Sequence, residues 1–192
     1  MLPMIRKSKE YFFVFCLAGH GSRFKEAGYK TPKYLLNYVD NQSTIIGEII
    51  SSFKFRQNAR IKILCNKRDR SYKENIIKSL SKMNLDYELL YIDDTCGQAE
   101  TAFIAANHIK KMHGPNLYKT SPIIFFNGDT ILKSRNLEEL IILMDEKSHG
   151  IIDCFKSNKR SYSYVTVDNN NFVTDIREKV VISNNATSGL YL

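Results

Sequence analysis

A chain of 192 residues, 43% apolar and 25% charged, can bury a sizeable core, which excludes a disordered tail or a minimal stapled scaffold. The four cysteines (Cys16, Cys65, Cys96 and Cys154) are scattered without a CxxC pair, so neither a disulfide framework nor a structural zinc is expected, and a reducing, cytoplasmic setting is. The net charge of +8 runs along the whole chain with no long basic tail and no nucleic-acid-binding signature, and no apolar run nears the roughly 18 residues of a membrane span; neither nucleic acid nor a membrane is an expected partner.

In chain order, the basic start MLPMIRKSKE and the apolar run after it mimic a secretory signal, but the run leads directly into a charged glycine-rich loop. Tyr11–Ala18 therefore reads as a buried strand. Ile45, Ile46, Ile49, Ile50 and Phe53 share one helical face. Arg60–Cys65 is a second strand, and Tyr72, Ile76, Ile77, Leu80 and Met83 form a second helical face. Tyr87–Ile92 is a third strand. Thr95 and Gln98 then have capping-box spacing, opening a helix with Ala99, Ala102, Phe103, Ala106 and Ile109 at helical intervals. Ile123–Asn127 is a fourth strand, and Asn136 caps a helix whose inner face is Leu137, Leu140, Ile141 and Met144. Alternation of this kind predicts a parallel sheet with helices on both faces. After Gly150 the rhythm changes: Ile151–Phe155, Tyr162–Val167, Phe172–Ile176 and Ser188–Leu192 are strand-like, and Asp168–Asn171 reads as a hairpin turn. This part predicts a mixed or antiparallel extension of the sheet.

Ligands of parallel sheets bind beyond the carboxyl ends of the strands, where three unusual loops fall. The first, LAGHGSRFKEAGYKTPK from Leu17 to Lys33, combines glycines that admit close backbone approach with Arg23, a planar donor fork, and Lys33, a mobile point charge. It suits a polyphosphate, yet it is neither a Walker A loop nor a dinucleotide fingerprint: Phe24 stands where a small residue is needed, and Pro32 interrupts any helix. The second loop, Asn127-Gly128-Asp129, offers a carboxylate for Mg²⁺ near phosphates. Gly97 and Gln98 open a helix at the same edge, where Gln98 has the reach to read a nucleobase. No His/Ser/Asp triad stands out; His20 reads as loop filler, and His108, His113 and His149 as surface residues.

The G-x-G-S-R of Gly19–Arg23, the Pro32-Lys33 pair ten residues on, and Asn127-Gly128-Asp129 together resemble the sugar-nucleotidyltransferase family over nearly the whole chain. Gly97-Gln98-Ala99 resembles its base-contacting segment, Glu178-Lys179 its acceptor-binding pair, and Thr187-Ser188-Gly189-Leu190-Tyr191 its later strand. The resemblance implies an α/β, Rossmann-like (GT-A-like), mostly parallel mixed sheet flanked by helices, with a mixed or antiparallel C-terminal extension. It implies transfer of NMP from an NTP, with CTP favoured, to a phosphorylated small-molecule acceptor, with Mg²⁺ as cofactor and pyrophosphate released. Arg23 and Lys33 are then the catalytic residues. Leu17, Ala18, Gly19, Gly21, Ser22, Gly97 and Gln98 bind nucleotide; Gly128, Glu178, Lys179 and Thr187 bind the acceptor; Asp129 holds the metal. The form around Arg23–Leu36 is similar to variants in capsule and surface-polysaccharide synthesis, whose acceptors include sugar phosphates, phosphocholine and phosphoglutamine. A homo-oligomer is compatible with this reading.

The chain stops at Leu192, just after the strand that ends the motifs, so residues 1–192 read as one nucleotidyltransferase domain lacking the family's C-terminal segment and its second metal ligand. That final strand is expected to expose an apolar sheet edge. A GT-A glycosyltransferase is the alternative enzyme, but it would want D-x-D where Gly128-Asp129-Thr130 stands. A non-catalytic nucleotide-binding domain is the alternative outside enzymes.

Overall fold

The alternating segments assemble into an eight-stranded sheet in the computed structural model, which describes residues 10–39, 43–55, 58–132, 135–144 and 150–192. Strands β1 (Tyr11–Cys16), β2 (Ala59–Asn66), β3 (Tyr87–Ile92) and β4 (Ile123–Phe126) are parallel, in the spatial order β3-β2-β1-β4. The central strand β1 is buried at all six positions. A strand covered on both faces has no use for alternation, which is why YFFVFC is continuously apolar. Tyr11, Phe13 and Phe15 point to one face and Phe12, Val14 and Cys16 to the other, as the two-residue period requires.

On the first face pack α2 (Ile45–Ser51), α3 (Lys73–Leu80) and α5 (Leu137–Leu143), through Ile46, Ile49, Ile50, Ile76, Leu80 and Leu137. Rings of Phe13, Phe15, Phe53, Phe55 and Phe126 meet there in tilted and edge-on pairs with centroids between 4.7 and 6.4 Å apart. The second face is covered by α4 (Gln98–Thr120), through Ala105 and Ile109. Helices thus cover both faces, as the alternation predicts.

The second half is β5 (Ile152–Lys156), β6 (Ser163–Val167), β7 (Val173–Glu178) and β8 (Asn185–Tyr191), all in antiparallel pairings. One edge of β8 pairs with β6 at its start and β4 at its end, while β5 runs along the other. The expected hairpin turn forms: the Asp168 carboxylate accepts from the backbone N–H groups of Asn170 and Phe172, and Asn171 takes φ 64°.

Four local expectations are corrected. The final strand is no exposed edge, because β8 lies inside the sheet with five consecutive buried residues. An exposed edge lies instead at β7, where Val173 and Ile176 are solvent-facing and the Asp175 carboxylate accepts from the backbone N–H of Ile176. The stripe that α4 buries is Thr101, Ala105 and Ile109, whereas Phe103 is 66% exposed. Apolar spacing selected the wrong stripe because alanine and threonine carry the contact. Thr95 and Gln98 form no capping box: Gly97 is the N-cap, Thr95 Oγ1 contacts Thr101 Oγ1, and Glu100 reaches back to the N–H of Cys96. Finally, His108 and His113 are half-buried rather than surface residues. His108 meets Glu88, which also accepts from the nearly buried Lys62 at 2.6 Å, and His113 tilts against Phe12. Lys62 and His108 hold the Glu88 carboxyl below its ordinary range against the upward push of burial. His149 lies outside the described residues.

Candidate active site

Strands β2, β1 and β4 end side by side, and the loops leaving them enclose a cleft of about 250 Å³. Its lining comes from the glycine loop after β1, from Arg68 and Asp69 after β2, and from Asn127–Asp129 after β4. The glycine loop turns at Gly21, in left-handed conformation with φ 59°, straight into the short helix α1 (Ser22–Glu26). Sequence reasoning gave no helix there. The break falls at Gly28, also at positive φ, ahead of Pro32. A Cβ at Gly19 or Gly21 would meet nothing within 4 Å, so both glycines face open space, free for a ligand.

Pro32 fixes the entry to a single 3-10 turn, Lys33–Leu35, whose Tyr34 and Leu35 are buried. Those two anchors direct Lys33 into the cleft. Its Nζ stands 3.5 Å from Asp129 Oδ2 and 5.5 Å from the centre of the Phe24 ring. Both partners of the ion pair keep solvent access, with side chains 34% and 47% exposed. The pair adds little to stability and remains available for exchange with a ligand. Tyr34 donates to Asp69, 3.1 Å away; burial raises the Asp69 carboxyl above its usual range against the pull of Tyr34, Arg68 and Lys25.

Asn127 ties the far wall together. Its N–H donates to the carbonyl of Gly189, and its Oδ1 accepts from Gln98 Nε2 at 3.2 Å. Gly128, at φ 67°, lies against Leu17, and Gly189, at φ 88°, lies against the Asn127 side chain; a Cβ at either position would overlap its neighbour. Both glycines are held by close packing, in contrast to Gly19 and Gly21, and Gly128 also lines the cleft.

The structure thus gathers Leu17, Gly19, Gly21, Lys33, Gly128 and Asp129 around one cavity, with Gln98 joined through Asn127. Ala18 is buried beside it, and Gly97 is exposed at the start of α4. Ser22 and Arg23 are exposed on α1 and do not line the cavity. Glu178 and Lys179 pair with each other at 2.9 Å on the outer hairpin, away from the cavity wall. Thr187 is buried in β8, its hydroxyl accepting from Tyr191. Lys25, Lys30, Arg68 and Asp69 line the cleft without having been singled out, and Phe24 and Asn127, noted only as motif positions, line it too. The rule that selected the loop after β4 applies equally to Asn66–Arg70 after β2, which brings Arg68 to the same edge of the sheet.

A thiolate nucleophile finds no support in the cleft. Cys16 lines it, but burial pushes that thiol up to about 12. Among the described residues no group of three or more His, Cys, Asp or Glu could hold a metal by itself. One exposed carboxylate suffices for Mg²⁺ when substrate phosphates supply further oxygens, so Asp129 fits that ion and no dedicated protein cage is required. No helix among the described residues is long and apolar enough to cross a membrane.

The family model for nucleotidyl transferases matches residues 15–192. No curated protein matches the chain in sequence. Among solved structures, a nucleoside-diphosphate-sugar pyrophosphorylase from Vibrio cholerae RC9 superposes with TM-score 0.73 at 22% identity, over 93% of this chain and 71% of its own. An inositol-1-phosphate CTP transferase from T. maritima gives TM-score 0.70 at 15% identity, over 95% and 69%. A UDP-glucose pyrophosphorylase complexed with UDP-glucose gives 0.64 at 18%, over 94% and 75%. At these identities the likeness establishes a shared fold, the parallel core with helices on both faces.

Proposed function

The chain belongs to the nucleotidyl transferase family, and from that premise we propose that it transfers NMP from an NTP, with CTP as the favoured donor, to a phosphorylated small-molecule acceptor. The observation that carries this reading is the meeting of Lys33 and Asp129 at 3.5 Å inside a cleft floored by a glycine loop. A phosphate monoester has its second pKa near 6 and is already largely a dianion at neutral pH. It attacks the α-phosphorus without a general base; the new O–Pα bond forms as the bond from Pα to the bridging oxygen breaks, and pyrophosphate leaves. Such a reaction asks the protein for alignment and for charge neutralisation.

Gly19 and Gly21 give the triphosphate close access to backbone. Lys33 leaves Asp129 for the phosphates and neutralises charge where acceptor and α-phosphate crowd together. Asp129 would hold Mg²⁺, which would supply further neutralisation on the phosphate oxygens. Arg23 is assigned the leaving pyrophosphate, a role that requires its exposed side chain to swing over the loop. Glu178, Lys179 and Thr187 are assigned to the acceptor, which extends the working site from the cleft towards β7 and β8. The acceptor class we favour is a precursor of capsule or surface polysaccharide, such as a sugar phosphate, phosphocholine or phosphoglutamine, handled in the cytoplasm; the CTP transferase among the structural neighbours is compatible with this donor.

Thermal unfolding with CTP, UTP, dTTP, ATP and GTP, each with and without Mg²⁺, tests the reading. A nucleotide at about a hundred times its Kd adds roughly 2.7 kcal/mol of stability. Stabilisation by an NTP is expected, larger with Mg²⁺, and Asp129→Ala is expected to erase the Mg²⁺-dependent part. No stabilisation by any nucleotide would defeat the proposal.

A further inference from the structure

We propose that Asp94 and Arg68 form the base-reading pair of this site and select cytosine; the inference rests on the nucleotidyltransferase reading above. Arg68 follows β2 and lines the cleft on the flank opposite Asp129, which follows β4, with β1 between. Two strand spacings, roughly 10 Å, therefore separate the flanks. With the phosphates lying beside Lys33 and Asp129, the other end of the nucleotide points towards Arg68. Asp94 leaves β3, the next strand along, three residues before Gly97; it does not line the cavity itself and joins it through Arg68.

The pair is built rather than incidental. Asp94 Oδ1 accepts from Arg68 Nη2 at 2.7 Å and from Asn66 Nδ2 at 2.7 Å, and His20 Nδ1 lies 3.8 Å away. Asn66 is 4% exposed, and its Oδ1 also accepts the backbone N–H of Arg68. One buried amide thus fixes both the carboxylate and the turn that carries the guanidinium. Asp94 and Arg68 themselves keep access to solvent, at 56% and 31%. A carboxylate has about four lone-pair sites and a guanidinium five N–H donors, so each retains bonding capacity towards a ligand.

Side by side, the pair presents an acceptor and then donors. Cytosine offers the complement along one edge: the N4 amino donor, the N3 acceptor and the O2 acceptor. A carboxylate taking the cytosine N4–H is a known pairing. Uracil and thymine place a carbonyl where Asp94 needs a donor and an N3–H where Arg68 needs an acceptor. Guanine inverts the pattern, and adenine lacks an acceptor at the third position. Discrimination of this sort arises when polar groups that the bound base covers are left unpaired by the wrong base.

The test is calorimetric titration of the intact chain with CTP and with UTP, both with Mg²⁺, for wild type, Asp94→Asn and Arg68→Gln. Wild type is expected to favour CTP, and each variant to lose at least about tenfold of that preference, the scale of one bidentate base contact. Asp94→Asn, whose amide can donate to the uracil carbonyl, is expected to gain UTP affinity, a change no unfolded or merely loosened variant would produce. A wild type that prefers CTP, with both variants preserving the ratio, overturns the base-reading assignment and leaves the enzyme reading standing. A wild type that binds UTP as well as CTP overturns the assignment too. A wild type that binds no NTP overturns the functional reading on which it rests.

Discussion

Lys33→Ala is expected to lower turnover by a few hundred-fold while NTP binding stays nearly unchanged. The lysine is held by buried neighbours in its 3-10 turn, Tyr34 and Leu35, and by the face of Phe24, so its ammonium is aimed before any ligand arrives. In the proposed reaction the charge it neutralises is greatest when five oxygens surround the α-phosphorus. An interaction of that kind commonly supplies about 3–4 kcal/mol to the transition state and much less to the ground state. Its ion pair with Asp129 is solvent-accessible, so the variant should fold normally. Pyrophosphate release and nucleotide titration, measured on the same preparation, separate the two effects. Equal losses in binding and turnover would make Lys33 a ground-state contact only. Lys33→Arg retains charge but replaces a point donor with a planar fork and is expected to recover only part of the rate.

Gly189→Ala is expected to cost about 2–5 kcal/mol of folding stability. At φ 88° an alanine meets backbone strain of roughly 1–2 kcal/mol. Its Cβ would also overlap the Asn127 side chain, adding overpacking of about 1–3 kcal/mol. The melting temperature should fall by roughly 5–15 °C. Asn127 has nowhere easy to go, because its N–H bonds the Gly189 carbonyl and its Oδ1 takes Gln98. The strain should therefore reach the cleft wall. Gly19→Ala is the informative control: nothing lies within 4 Å of the added methyl, so stability should change by less than about 0.5 kcal/mol while nucleotide binding weakens. A variant at Gly189 that melts like wild type would show that β8 can shift away from β4.

These two glycines show what a sequence discloses. Both carry the same letter and both belong to recognisable motifs. Only the coordinates separate one that faces open space from one wedged against Asn127. The sheet was legible for a different reason: continuous apolar runs and helical spacing are direct imprints of burial, and Tyr87–Ile92 is a strand over the very residues the pattern marks. The stripe of α4 was misread because Phe103 outweighs Thr101 and Ala105 on any apolar scale, yet a close-packed helix uses its small residues. In the cleft, the placement of Lys33 and Asp129 was legible because proline, glycine and a strand end constrain where they point. Arg68 was within reach of the strand-end rule, but its pairing with Asp94 was not, since spacing does not encode a contact across two loops.

The outer strand β7 bears on how the protein behaves in a tube. Its unpaired flank is a template on which another copy could add a strand, and Val173 and Ile176 make that flank adhesive. Asp175 acts as a stopper: its carboxylate occupies the Ile176 N–H, and its contact with Arg177 Nε, 2.9 Å away, helps hold the acid below its ordinary range. The stopper is thus in place at neutral pH and is withdrawn when acidification protonates Asp175. Purification and storage should stay above the carboxylate range, because below it the molecule carries an open strand ready to seed clumping.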